Sequence, residues 1–417
     1  MRASAFLYPW DVIGDSEAPG RLAGLGVQQV TLASAYHSTR ALTPRHPHTR
    51  IVTARHSAVL YPADPARWAG RALRPYAQGW LDSADPFGEA AHELAAAGLE
   101  VHSWVVLAHN SRLGEEHPHT SVRNAYGDRY PWAPCIAQPE VREYAVTLAA
   151  EAAVRPGARG TELESCGWYG LAHLHAHDKT GGVPLGPVAE HLMSLCFCAT
   201  CQEGYASLDA DPEKLRRTVL RALAPLWRGA PEPHAPTVAE ERQAVAELLG
   251  TEHASAVSVW RDGAANRLQR EAVAAVRAEA RARTGADART GDGFRVLLHA
   301  HPGAHRTGAN AGTEPAAVLE HADGVVLPCG GGAAARTAVL EPFARASADR
   351  SAGTDARTAV LAANFPVVSG MGGAPDTLAE DAVHARELGA RELRLYHAGL
   401  ASDGDLAQVR DALKRIG

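Results

Sequence analysis

The sequence predicts an α/β protein built as a single (β/α)8 TIM barrel with a long helical insertion after strand 4, on three observations. Short β-branched runs alternate with Ala/Leu/Glu/Arg-rich stretches of helical length, the pattern of βαβ units around a parallel sheet. Eight such units can be counted, with no second strand-rich block. The competing open, doubly wound sheet carries Gly-x-Gly-x-x-Gly after its first strand, or a Walker-type loop, and neither is found.

The expected strands are Ala5 to Tyr8, Gln29 to Ala33, Val101 to Leu107, Gly160 to Glu164, Arg295 to His299, Gly324 to Leu327, Ala359 to Ala363 and Glu392 to Tyr396. Helices are expected over Asp85 to Ala97, Pro139 to Val154, Glu314 to His321, Ala333 to Ala348, Pro375 to Leu388 and Asp403 to Arg415. Glycine turns at Gly24–Gly26, Gly98 and Gly389 precede strands two, three and eight, where a helix end favours a left-handed residue. Two segments exceed a minimal barrel. Residues 34–82 hold Ile51 to Tyr61, which reads as a strand or hairpin. Residues 166–292 form the insertion, with helices over Asp211 to Trp227 and Thr237 to Arg283 and a polar loop from Thr284 to Asp292. Length alone suggests two or three domains, but barrels with insertions reach 417 residues as one unit, so residues 1–417 are read as one barrel.

A net charge of −6 excludes a generally basic nucleic-acid binder. Pro9 and Asp11 break the apolar run at the start, so no secretory signal is expected. No stretch approaches the ~20 apolar residues of a membrane span. These features predict a cytoplasmic protein without nucleic-acid or membrane partners, and they leave the oligomeric state open. Six cysteines in such a long chain do not make a disulfide framework.

In a barrel of this kind the chemistry sits where the strands end. Those ends carry Tyr8-Pro-Trp10-Asp11, Tyr36-His37, His109-Asn110, Glu162-Leu-Glu164-Ser-Cys-Gly-Trp168-Tyr169, His299-Ala-His301, Asn364-Phe-Pro and Tyr396-His397. The opposite ends show no comparable cluster. Glu162 and Glu164 share a strand face, so two carboxylates stack if that face is inward. Close like charges raise one pKa, which suits a general acid, although Glu162 reads equally well as a buried partner of Arg or His. His173, His175 and His177 alternate on an extended stretch and point either to metal or to a polyhydroxylated ligand. Cys196, Cys198 and Cys201 can give three ligands to a structural zinc, with Cys166 or His191 as the fourth, or pack as reduced thiols. Trp10, Tyr36, Trp132, Trp168, Tyr169 and Tyr396 fall at the mouth, and their flat faces suit sugar rings.

The runs Glu162-Leu-Glu164-Ser-Cys-Gly-Trp168, His173-x-His175-x-His177-Asp-Lys, Leu195-Cys196-Phe-Cys198-x-x-Cys201 and Trp104-Val-Val-Leu-x-His109-Asn resemble a group of poorly characterised glycoside-hydrolase-like (β/α)8 barrel proteins. So do Arg123-Asn124-Ala-Tyr-Gly127-Asp128 and Pro139-Glu-Val-Arg-Glu-Tyr144. The resemblance covers most of residues 100–205 and implies a glycosidase-type barrel. Retaining barrel glycosidases carry an acid/base Glu at strand four, commonly after Asn, and a nucleophilic Glu at strand seven. Here Glu164 follows Leu163, and strand seven ends Asn364-Phe365-Pro366 without a carboxylate. Only Glu164 is carried over, as acid/base.

The expected function is a carbohydrate-active enzyme, a glycoside hydrolase acting on a small carbohydrate or glycoside. Glu164 is the expected general acid, with Glu162 or Asp11 as second carboxylate and no cofactor needed for catalysis. The sugar site is expected from Trp10, His37, His109, Trp168, His173, His175, His299, His301, Tyr396 and His397. Two alternatives stand beside it: a metal-dependent sugar isomerase or hydrolase using the histidines, and a sugar-binding barrel without catalysis.

Overall fold

The computed structural model describes residues 1–174, 178–284, 293–353 and 358–417. Eight parallel strands close into a barrel: β1 (Arg2–Leu7), β2 (Gln29–Tyr36), β3 (Glu100–Val106), β4 (Ala158–Glu164), β5 (Arg295–His301), β6 (Gly324–Pro328), β7 (Val360–Pro366) and β8 (Glu392–Tyr396). Each pairs with the next, and β8 returns to β1 with Arg2 opposite Glu392 and Ala5 opposite Leu395. All eight expected strands are present, shifted by a few residues at their ends.

The outer layer holds α1 (Ala18–Ala23), α2 (Pro86–Ala96), α3 (Pro139–Ala153), α4 (Thr251–Thr284), α5 (Pro315–Leu319), α6 (Ala333–Gly353), α7 (Leu378–Glu387) and α8 (Asp403–Ile416). Local chemistry sets their starts. Asp85 accepts from the Gly88 amide at 3.0 Å, with Pro86 at the first helical position of α2. Ser402 and Asp405 cap α8 reciprocally. The expected left-handed glycines are Gly26, Gly98 and Gly389, with φ of 93°, 82° and 103°. One expectation fails at a glycine. The single helix over Thr237 to Arg283 is two, Val238–Leu249 and α4, broken at Gly250 with φ 79°. The insertion also holds helices Pro187–Met193, Ala199–Ala206 and Pro212–Leu223, the last ending before Trp227. Its polar loop falls largely on residues 285–292, outside those described.

Ile51–Ala54 pairs antiparallel with Thr39–Leu42, and Ala58–Val59 pairs with the end of β2. A second ribbon, Ser121–Arg123 with Arg129–Pro134, has no counterpart in the sequence reading. The strands' outward faces (Leu7, Leu32, Val105, Leu163, Leu298, Leu327, Leu395) join one large core with the helices.

The barrel interior is polar along much of its length. At the amino-terminal end Arg295 pairs with Glu392 at 2.6 Å and donates to Gln29 at 3.0 Å, while Arg2 meets Glu100 at 2.7 Å. One layer up, Arg394 holds Glu162 at 2.6 Å and Glu392 at 2.8 Å. The charged residues thus found at the amino-terminal end correct the expectation that it carries no cluster. Buried charges are tolerated when paired and hydrogen-bonded, and these interlocked pairs meet that condition.

Candidate active site

Glu164 ends β4 and faces a cavity of about 1000 Å³ at the carboxyl-terminal rim. Three inward side chains fix its carboxylate. Trp104 Nε1 donates to Oε2 at 2.9 Å, Tyr396 OH donates to the same oxygen at 3.1 Å, and His299 Nδ1 lies 3.6 Å away. The other His299 nitrogen lies 3.7 Å from Glu162 Oε2, so one ring stands between both glutamates of β4. Strand alternation explains this: His299 on β5 and Tyr396 on β8 point inward at the level where β4 turns Glu164 inward.

Among the described residues, Glu164 is the one carboxylate lining this cavity. Glu162 lies beneath it, fully buried. Burial alone would raise its pKa, but the Arg394 charge outweighs burial and holds it down at about 2. It is the buried ion-pair partner, not a second cavity acid. Asp11 is likewise not in this cavity. It accepts the Tyr8 amide at 2.8 Å and lines a separate small pocket beside Arg45, where burial lifts its pKa to about 7.

His37, His109, His173, Tyr396 and His397 line the cavity, as do Tyr8, Tyr36 and Tyr169. Burial lowers the pKa of His37 to about 4 and that of His397 to about 3, and pushes His109 well down, so these rings are neutral at neutral pH. His109 stacks on Tyr169 at 4.2 Å, and Tyr8 OH donates to Tyr36 OH at 2.9 Å. His301 does not line it, and its Nδ1 accepts the Gly303 amide at 3.0 Å. His175 and His177 lie outside the described residues.

The expected tryptophans do not reach the cavity. Trp10 is buried and stacked 4.5 Å from Tyr8. Trp168 is buried beneath Arg261, donating to the Arg261 carbonyl at 3.0 Å. Trp132 stacks on Tyr130. Tyrosines take their place, since a phenol pairs its hydroxyl at the rim while the ring packs inward. Tyr8, Trp104 and Ser165 were missed as site residues. Trp104 was within reach of the alternation that paired Glu162 with Glu164, because Trp104 stands opposite Glu162 across β3 and β4. Ser165 and His397 have φ of 54° and 60°, unusual for residues other than glycine, and both line the cavity.

Cys196, Cys198 and Cys201 converge, and Cys135, at the end of the unforeseen ribbon, completes the set in place of Cys166 or His191. All four sulfurs are buried and lie within 4.8 Å of one another, with Cys135 at 3.7 Å from Cys198 and 3.6 Å from Cys201. His191 instead bonds the His305 carbonyl at 3.0 Å. No other convergent group of three or more metal-ligating side chains occurs among the described residues.

No protein-family model and no curated protein matches the chain. Solved structures do. The α-L-fucosidase isoenzyme 2 of Paenibacillus thiaminolyticus aligns over 100% of this chain and 49% of its own, at 12% identity and a TM-score of 0.53. The β-galactosidase of Marinomonas ef1 aligns over 99% of this chain and 59% of its own, at 12% identity and 0.51. That of Halorubrum lacusprofundi aligns over 99% and 58%, at 12% and 0.52. The chain thus spans about half to three-fifths of the length of these proteins. What it shares with these glycoside-cleaving enzymes is the (β/α)8 barrel itself.

Proposed function

We propose that the protein is a glycoside hydrolase acting on a small carbohydrate or glycoside, with Glu164 as general acid. The supporting observation is that, among the described residues, this carboxylate stands alone in the large rim cavity, oriented by Trp104, Tyr396 and His299. Glu164 protonates the glycosidic oxygen, the bond to the anomeric carbon breaks, and positive charge develops on the sugar. The carboxylate left behind takes a proton from the incoming water, which restores the acid. Neutral His37, His109 and His397, with His173 beside them, make hydrogen bonds to hydroxyls, and the tyrosine faces pack against the ring. Leu42 and Met371, both more than half exposed at the rim, give the leaving group an apolar surface. The deciding experiment is hydrolysis of a panel of aryl glycosides by the wild type and by Glu164→Gln.

A second reading has an observation of its own. With Asn364 at the end of β7 and, among the described residues, a single carboxylate in the cavity, the barrel would bind a sugar without cleaving it. Saturable binding without turnover of any aryl glycoside selects this reading.

We also propose that Cys135, Cys196, Cys198 and Cys201 hold a structural zinc. A tetrahedral site with Zn–S of about 2.3 Å places its sulfurs roughly 3.8 Å apart. The 3.6 and 3.7 Å separations fit that shape, and thiolates are the donors zinc prefers in closed sites. The ion would tie the ribbon after β3 to the insertion after β4.

A further inference from the structure

Of the phenylalanine, tyrosine and tryptophan side chains among the described residues, two are exposed, and they touch. Tyr126 is 45% exposed and Trp227 is 41% exposed. Tyr126 sits at the tip of the ribbon formed by Ser121–Arg123 and Arg129–Pro134, and Trp227, 101 residues later, in the short turn Leu226–Arg228. Trp227 Nε1 donates to Tyr126 OH at 2.5 Å, with ring centroids 6.3 Å apart and planes inclined at 62°. The bond joins an indole edge to a phenol edge, so it fixes both rings while neither face covers the other. Neither residue lines the rim cavity. A single exposed aromatic needs no explanation, but a pair drawn from distant segments and locked together does.

Both rings are held in place before any ligand arrives. The Asn124 side-chain oxygen accepts the Tyr126 and Asp128 amides at 2.9 and 3.0 Å, and Gly127 turns the tip with φ 92°. Arg216, on the helix Pro212–Leu223, donates to the Ala125 carbonyl at 3.1 Å and ties that helix to the tip. Leu226, next to Trp227, is buried and anchors the turn. The Phe197 amide donates to the Arg123 carbonyl at 2.7 Å, which joins the ribbon to the cysteine segment. Rigid aromatic faces lose little conformational freedom on binding.

The surroundings indicate what the faces receive. The Arg216–Glu213 ion pair and Asp128 stand on the same two segments, and neither the ribbon nor the helix Pro212–Leu223 exposes another large apolar side chain. A protein partner needs an apolar interface core wider than two rings. A sugar needs one flat face for its C–H groups and polar neighbours for its hydroxyls. Two faces inclined at 62° suit successive sugar rings that turn relative to each other, as in an α-linked glucan. The flat ribbon of a β-linked glucan would cover one face and miss the other.

We propose that Tyr126 and Trp227 form a carbohydrate-binding platform outside the barrel mouth, specific for a neutral glucan chain whose successive rings turn. The platform binds the chain without cleaving it, and it is independent of the reaction assigned to Glu164.

The test is native electrophoresis of the full-length protein through gels containing glycogen or hydroxyethylcellulose. Glycogen is expected to retard the wild type, and hydroxyethylcellulose to leave its mobility unchanged. Trp227→Leu keeps an apolar side chain without a flat face, and it should weaken glycogen binding by about tenfold or more, as truncation of an aromatic anchor does. Tyr126→Ala should do the same. Both positions are exposed, so each variant should keep a Tm near that of the wild type. Glu164→Gln should be retarded as the wild type is, which separates failure of the platform from failure of the acid assignment. The proposal is overturned if glycogen does not retard the wild type, if Trp227→Leu or Tyr126→Ala is retarded unchanged, or if Glu164→Gln abolishes retardation, which would place the glucan in the barrel mouth. Equal retardation by hydroxyethylcellulose overturns the recognition of a turning chain.

Discussion

Arg394 Nε lies 2.6 Å from Glu162 Oε1, directly below the cavity that Glu164 faces. Two glutamates that share one strand face are thereby divided into a buried ion-pair partner and a carboxylate open to the cavity. The division predicts opposite phenotypes. Glu162→Gln leaves Arg394 with Glu392 as its remaining anion, and removing one partner of a buried pair costs about 3–5 kcal/mol. Glu164→Gln keeps acceptors for Trp104 and Tyr396, and its stability should stay within about 1 kcal/mol of wild type. Urea unfolding of the two variants checks this; equal losses would contradict the division.

The phenol of Tyr396 donates 3.1 Å to Glu164, and Tyr396→Phe removes that bond while keeping the ring. Such a bond is worth about 0.5–1.5 kcal/mol, so turnover of a cleaved glycoside should fall by about two- to tenfold in the variant. Unchanged turnover in the variant would mean the phenol does not act through the carboxylate.

Acid should unfold the protein in two stages. His37 and His397 titrate near 6.5 when unfolded but near 4 and 3 when folded, because burial disfavours their charged forms. Between those values the unfolded chain binds more protons, so stability is full above pH 6.5 and falls as pH drops toward 3. Glu162, ordinarily at 4.5 and here at about 2, adds a second loss over that lower range. Urea midpoints measured across this span should show a shallower first stage in His37→Asn. An unchanged profile would mean that His37 is not held neutral.

Metal analysis should find one zinc per chain. Changes in residues that merely support a site weaken metal affinity by about 10–100-fold, so Cys135→Ser, which removes a ligand, should exceed that. It should also lower Tm, and Cys166→Ser should do neither. Metal retained in Cys135→Ser would remove Cys135 from the ligand set.

What was legible in the sequence followed period and turn chemistry. Alternating apolar runs and left-handed glycines at Gly98 and Gly389 marked strands and helix ends, because those signals are local. Gly250 was equally local but sat inside a long helical composition that masked it. The fourth cysteine was not legible. Cys135 is 61 residues before Cys196, and only the unforeseen ribbon brings it close. The tryptophans misled because exposure was inferred from position, whereas Trp10 and Trp168 spend their large faces on packing against Tyr8 and Arg261. Pairing of Glu162 with Arg394 rests on residues 232 apart in the chain, beyond any local pattern.

The most direct measurement is the rate of aryl glycoside hydrolysis by the wild type beside Glu164→Gln, across a panel of sugars. General acid catalysis contributes about 10²–10⁴-fold, so at least one glycoside should be cleaved by the wild type and slowed by that factor in the variant, with binding retained. Cleavage at the same rate in both proteins, or none by the wild type, would contradict the assignment of Glu164 as the acid of a hydrolase.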